Sequence, residues 1–172
     1  MITIIFVEAE SAGNVGAIAR AMKNFGFTRL ILVSPKCDIY SDECKGRAKH
    51  AYDVIEKARV MQSLEKAVRG FDTVVGTTAR LTTYYDERRA VITPQSLSKN
   101  ISGNTAIVLG RESAGLTNDE VNMCNIMVNI PTNKKYPSLN ASHAAVIMLY
   151  ELGKAKEKSE PAKKEQLDSL YK

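Results

Sequence analysis

Short apolar runs separated by longer amphipathic stretches set the rhythm of the chain. Ile2 to Val7, Arg29 to Ser34, Thr73 to Gly76, Thr105 to Leu109 and Ile126 to Ile130 are mostly apolar and rich in Val and Ile. Such unbroken runs, without in-and-out alternation, predict strands of a parallel sheet covered on both faces. Between them, helical periodicity marks Val15 to Phe25, Ala48 to Lys57, Ser63 to Gly70, Pro94 to Asn100, Asn118 to Cys124 and Asn140 to Lys158. Strands alternating with helices predict an α/β fold with a parallel sheet between helices. The helix from Asn140 is apolar on almost every side, as buried helices are, so its polar first turn points at something. Pro137 and Ser138 stand where that helix is expected to begin.

Composition changes this picture little. With 172 residues, 44% apolar and 25% charged, the chain is long enough for one well-packed core, and one domain is expected. No apolar run nears the roughly 20 residues that span a bilayer, so we expect no membrane partner and a cytoplasmic location. Cys37, Cys44 and Cys124 lack Cys-x-x-Cys spacing, and His50 and His143 stand far from them in sequence. Disulfides and a structural metal are therefore not expected. The net charge of +5 permits a polyanionic partner without requiring one. Met22, Met61, Met123, Met127 and Met148 lie in apolar runs and are expected in the core. His143, alone on an apolar helix, reads as a core or interface residue.

From Lys154 the composition turns to Lys, Glu, Ser and Pro161, as in a solvated linker, and a weak helical period returns at Lys163 to Tyr171. We expect a domain over residues 1–155, followed by a charged linker and the start of a truncated helical extension over 156–172.

Three polar constellations follow predicted strands. After the first come Glu8 to Arg20, where Gly13 and Gly16 allow close backbone approach and Asn14 can cap the next helix. Arg20 is either a surface residue of that helix or a long side chain reaching toward the strand ends. After the fourth strand come Gly110-Arg111-Glu112 and Gly115, with Thr117 or Asn118 as the next helix cap. Arg111 and Glu112 are either a solvated turn or site residues. The third is Ser138, Asn140 and Ser142 at one helix start, more polar groups than one cap needs. Gly76-Thr77-Thr78-Ala79-Arg80 follows another strand and could add a wall. Open α/β sheets bind ligands outside the carboxyl ends of their strands, which places all four in one neighbourhood.

Together these segments resemble the motifs of the SPOUT-class methyltransferases, in particular the TrmH-like RNA ribose methyltransferases. Asn14-x-Gly16-x-x-x-Arg20 is similar to the first motif of that group. Leu109-Gly110-x-Glu112-x-x-Gly115-Leu116 is similar to the second, and Ile130-Pro131 with Ser138-Leu139-Asn140-x-Ser142 to the third. The resemblance runs over about residues 1 to 155. Gly110-Arg111-Glu112, the Gly76 to Arg80 segment and the Asn133-Lys134-Lys135-Tyr136 loop look most like the TrmJ branch, which methylates the ribose 2′-hydroxyl at position 32 of the tRNA anticodon loop.

The resemblance implies a deep C-terminal trefoil knot, S-adenosylmethionine as cofactor, tRNA as substrate and a homodimer with its active site at the subunit interface. It implies a cofactor held by Thr77, Thr78, Ala79, Leu109, Gly110, Gly115, Ile130, Ser138, Leu139 and Asn140. Arg20, Asn14, Glu112, Ser138, Asn140 and Ser142 would form the catalytic set, with Glu112 orienting Arg20 or Asn14. Arg20, Arg80, Lys134 and Lys135 would contact RNA phosphates. No histidine stands in any motif, so the usual base is missing. A guanidinium almost never loses its proton, so Arg20 is expected to act as a cation on phosphate and incipient alkoxide. A methyltransferase acting on rRNA, and a catalytically silent RNA-binding α/β module, are the competing readings.

Overall fold

The computed structural model describes residues 1–79 and 91–154. Arg80 and the charged stretch 156–172 lie outside those residues. Seven parallel strands form one sheet: β1 (Ile2–Val7), β2 (Leu30–Val33), β3 (Arg59–Met61), β4 (Thr73–Thr78), β5 (Val91–Ile92), β6 (Thr105–Leu109) and β7 (Ile126–Asn129), in the order β3-β2-β1-β6-β4-β7-β5. Every pairing is parallel. The inner strands are buried on both faces, as in the all-buried patterns of β2 and β6, which is why they read as unbroken apolar runs.

The helices are α1 (Ala12–Asn24), α2 (Asp42–Ala48), α3 (Tyr52–Glu56), α4 (Leu64–Val68), α5 (Pro94–Asn100), α6 (Asn118–Asn122) and α7 (Ala141–Lys154), with a short 3-10 turn at Lys49–Ala51. They divide unequally. One core layer joins Phe6, Leu32, Ile107 and Val128 to α1, α2, α3, α5 and α7 through Ile18, Met22, Cys44, Ile55, Leu97, Met148 and Leu149. The other joins Ile5, Val33, Val108 and Met127 to Leu64 and Ala67 of α4. Among the methionines expected in the core, Met22, Met127 and Met148 are fully buried, while Met61 and Met123 pack at the edge of the second layer.

β6 is inserted between β1 and β4, and β7 between β4 and β5, so late strands lie between earlier ones. This order accommodates a knotted path. It also makes β1 and β6 neighbours, with Phe6 opposite Leu109 at their carboxyl ends, where the sheet changes winding direction. None of the described helices is long and apolar enough to cross a membrane.

Several local expectations are corrected. α1 starts three residues before Val15, and its cap is Ser11, whose hydroxyl accepts from the N–H of Asn14. Asn14 therefore lies inside the helix with its own side chain free for other partners. Thr77 and Thr78 belong to β4 and do not follow it, because that strand pairs on both sides, Gly76 with Val108 and Thr78 with Asn129. The helix expected over Ala48 to Lys57 is divided among α2, the 3-10 turn and α3. α7 begins at Ala141, one residue after the expected Asn140.

Candidate active site

The loops after β1 and β6 are joined residue by residue. Glu112 accepts three hydrogen bonds: from the N–H of Glu10 at 2.9 Å, the N–H of Ser11 at 3.1 Å and the side-chain amide of Asn14 at 2.9 Å. Glu10 returns the contact, accepting from the N–H of Ser113 at 2.9 Å and from its hydroxyl at 2.6 Å. Bonds to ionised carboxylates are shorter and stronger than neutral ones, so this double clasp fixes both loops.

A carboxylate can only accept, and this fixes the amides beyond it. Asn14 must turn its Nδ2 toward Glu112, leaving Oδ1 to accept from Nδ2 of Asn140 at 3.1 Å. Asn140 must then turn Oδ1 toward α7, where it accepts from the N–H of Ser142 at 2.8 Å and from its hydroxyl at 2.7 Å. Asn140 thus caps the helix, the N–H of the second helical residue being among those without an internal partner. One chain of donors and acceptors runs Glu112, Asn14, Asn140, Ser142 and links all three sequence motifs. Four of the six expected catalytic residues are in it.

Ser138 is exposed and outside this chain, and so is Arg20, which makes no hydrogen bond to Glu112. Of the two alternatives for Glu112, orienting Arg20 or orienting Asn14, the described residues realise the second. Arg20 lies on the outer end of α1 and lines a cleft with Asp42, Glu43, Gly46, Arg47 and Lys49.

Arg111 is not a solvated turn residue. Its side chain is only 16% exposed and holds Glu120 through both terminal nitrogens at 2.8 and 2.9 Å, and Glu8 through Nε at 2.7 Å. Hydrogen bonds donated to Glu120 and then to Glu8 raise the Arg111 pKa, locking it in the charged form. The Arg111 hydrogen bond outweighs desolvation and holds the Glu8 carboxyl below its usual value. Burial works against ionisation of Glu120, yet bonds from Arg111 and Thr117 still lower its pKa. Glu120 also completes a capping box with Thr117 at the start of α6. The loop between Arg111 and Gly115 closes through paired backbone bonds of 3.2 and 2.9 Å. That tight turn explains both glycines: Gly115 has a φ of +72°, and a Cβ on Gly110 would stand 2.3 Å from the Gly115 carbonyl carbon.

The expected cofactor residues gather at the carboxyl ends of β6, β4 and β7, three adjacent strands. Leu109 ends β6, with Gly110 just beyond it. Thr77 and Thr78 end β4, and Ile130 follows β7. The Thr77 hydroxyl donates to the carbonyl of Val108 at 3.0 Å, and Asn129 donates to the carbonyl of Thr78 at 3.0 Å, stitching the three ends together. Gly110, Ile130 and Leu139 are half-buried and Ala79 is exposed. Among the described residues this is a shelf of small and apolar groups with neither carboxylate nor cation on it, chemistry that fits an adenine ring and a methionyl chain.

Gly16 serves a neighbouring element: a Cβ there would stand 2.3 Å from the carbonyl oxygen of Cys44, so the glycine lets α2 seat against α1. Lys134 and Lys135 are exposed on a self-closed loop, where Asn133 accepts from the N–H groups of Lys135 and Tyr136 and the Thr132 hydroxyl donates to the Pro137 carbonyl. His143 is exposed on α7, neither in the core nor in the chain of amides. Sequence reading missed Glu8, Glu10, Ser113, Glu120 and Asn129. Their partners lie 9 to 103 residues away, and only the acidic spacing Glu8-x-Glu10 hinted at them.

Polar loops tied across the switch point of a doubly wound parallel sheet, beside a small apolar shelf, define a ligand-binding α/β domain. The chain belongs to the SpoU rRNA methylase family, which matches residues 1–150. A tRNA (cytidine-2′-O-)-methyltransferase TrmJ of Methanocaldococcus jannaschii is 39% identical over 155 residues, covering 88% of this chain and 67% of that protein. A tRNA (cytidine/uridine/adenosine-2′-O-)-methyltransferase TrmJ of Pseudomonas aeruginosa is 37% identical over 179 residues, covering 98% and 67%. The crystal structure of TrmJ from Z. mobilis ZM4 superposes with a TM-score of 0.83 at 31% identity, over 99% of this chain and 76% of the solved one. The chain spans about two thirds of the length of the curated relatives it matches.

Proposed function

We propose that this chain is an S-adenosylmethionine-dependent methyltransferase acting on a ribose 2′-hydroxyl of tRNA, at position 32 of the anticodon loop, in the cytoplasm. The observation that carries this reading is the Glu112, Asn14, Asn140, Ser142 chain, which joins the three motifs beside the apolar shelf. The naming of relatives as tRNA 2′-O-methyltransferases favours tRNA over rRNA.

Thr77, Thr78, Ala79, Leu109, Gly110, Gly115, Ile130 and Leu139 would hold the cofactor, with Ser138 and Asn140 at its open side. S-adenosylmethionine, when bound, supplies a methyl group on a positively charged sulfur. The protein's task is alignment and handling of the hydroxyl proton, since a ribose hydroxyl is a poor nucleophile until that proton is leaving. The Arg20 guanidinium pairs with a backbone phosphate and stabilises negative charge developing on the ribose oxygen. The proton passes to water or phosphate. Asn14 and Asn140, held in one orientation by Glu112, order the floor on which the ribose rests. Lys134 and Lys135 steer the phosphate backbone, and Arg80 belongs to the same set. A single-stranded loop presents an accessible 2′-hydroxyl as a duplex does not.

The same reading includes a homodimer. Its support is the stripe His143, Val146 and Tyr150 on α7, where Val146 is 40% and Tyr150 49% exposed. A second subunit covering that stripe brings a partner's loops toward Arg20, which stands apart from Glu112 within one chain. A trefoil-knotted path for the segment after β6 belongs to this reading as well. Calorimetric titration with S-adenosylmethionine tests it: we expect one site per chain, and no binding at millimolar cofactor would exclude the methyltransferase reading.

A further inference from the structure

We propose that Arg47 and Lys49, with Arg20, form a phosphate-binding cleft that seats the tRNA backbone beside the reacting ribose. This deepens the tRNA-methylation reading and rests on it. The cleft has a volume of about 420 Å³ and is lined by Arg20, Asp42, Glu43, Gly46, Arg47 and Lys49.

Its existence follows from α1. Gly16 lets the backbone of α2 approach within the space a Cβ would need. Residues four apart share a helix face, so Arg20 projects from the face that Gly16 lays against α2. The carboxyl end of α2 and the turn after it then bring Arg47 and Lys49 to the same opening.

These cations are uncommitted. Elsewhere Lys23 and Lys57 pair with Asp53, Lys36 with Glu8, Arg69 with Glu65, and Arg111 with Glu8 and Glu120. Among the described residues Arg20, Arg47 and Lys49 have no ion-pair or side-chain hydrogen-bond partner, as is also true of Arg29, Arg59, Lys66 and Lys99, but these three are exposed and line one cleft. Complementing the helix dipole accounts for Arg47, in the last turn of α2. It does not account for Lys49, whose φ of +51° is a conformation that favours glycine. The exposed Lys49 in this strained position opens on the same cleft as Arg20 and Arg47, which points to a use for its ammonium.

Asp42 and Glu43 oppose an anion in the same cleft. They occupy the first turn of α2, where negative charge is favoured, with Glu43 beside Gly13, whereas Arg47 at the other end of α2 lies beside Gly16, one turn before Arg20. Nucleic-acid phosphates are the ligand such a wall selects, because an RNA backbone offers successive charges to three cations.

The test compares wild type with Arg47→Gln/Lys49→Gln and with Asp42→Asn/Glu43→Gln, by filter binding of an unmodified tRNA transcript across a salt series. The expected slope of log affinity against log salt falls by about 1.4 in the basic double variant, with at least about tenfold weaker binding at 0.1 M salt. Its affinity for S-adenosylmethionine stays at the wild-type value, which also reports correct folding. The acidic double variant binds tRNA more tightly. Wild-type affinity and slope in the basic variant overturn the cleft while leaving the methylation reading intact. Absence of tRNA binding by the wild-type chain overturns both, and absence of cofactor binding by the wild type overturns the methylation reading.

Discussion

Asn14 and Glu112 lie 98 residues apart in sequence and are joined by a 2.9 Å hydrogen bond from the Asn14 amide to the Glu112 carboxylate. Because that carboxylate has no donor, it dictates which way Asn14 faces, and Asn14 dictates the same for Asn140. Orientation is passed from the loop after β6 to the helix that follows the last loop. The charge of Glu112 thus acts on groups it does not touch.

Replacing Glu112 with Gln keeps the shape and removes that dictation. One of its three acceptor contacts must then meet an NH2 group facing an N–H, which costs roughly 1–3 kcal/mol of stability. Methyl transfer should fall by at least about tenfold with little change in tRNA affinity. Asn14→Asp should be worse in both respects, since it sets two carboxylates against each other. Turnover assays and urea denaturation read these outcomes; wild-type activity in Asn14→Asp contradicts the orientation chain.

Arg20→Lys separates binding from chemistry. An ammonium still attracts phosphate but cannot fork between phosphate and ribose oxygens, so tRNA affinity should persist while kcat loses most of its value. Single-turnover kinetics with saturating cofactor measures the split. Near-wild-type kcat would remove Arg20 from the reaction.

The Arg111 ion cluster makes stability depend on acid. Glu8 and Glu120 both have lowered pKa values when folded, so their contribution is present above the ordinary glutamate value of 4.5 and is lost as pH falls below it. Arg111→Met leaves Glu8 with only the longer Lys36 pair and Glu120 with only its Thr117 cap, and should cost about 1–3 kcal/mol at pH 7, less than for a fully buried pair because Glu8 is 29% exposed. That cost should shrink toward pH 4. Denaturant midpoints at the two pH values test it, and an equal cost at both denies the linkage.

Gly16→Ala tests the seat of α2. The added methyl meets the Cys44 carbonyl oxygen at 2.3 Å, and backbone cannot yield cheaply, so a loss of about 1–3 kcal/mol is expected. Thermal unfolding reads it. Gly46→Ala, with open space around its Cβ, is the control and should not destabilise through contact.

The sequence disclosed the five inner strands, because double burial leaves an unbroken apolar run, and it disclosed the order of the three motifs. β3 did not announce itself: Arg59, Val60 and Met61 are an exposed edge, without the run that burial produces. β5 is only two residues long. Ser11 was hidden as a cap because Asn14, an equally good capping residue, stands three positions later. The role of Arg111 was illegible because charge next to glycine in a loop normally faces water, and its partners Glu8 and Glu120 come from other elements. What local pattern cannot reveal is which polar groups meet across the sheet, and that is where this site is made.

Mass-spectrometric mapping of nucleosides in tRNA, after incubation with the protein and methyl-labelled S-adenosylmethionine, tests the central claim most directly. The predicted result is one labelled methyl on the ribose of nucleotide 32, absent when Arg20 or Glu112 is replaced. Label on a base, or no label in tRNA while rRNA acquires it, would contradict the account.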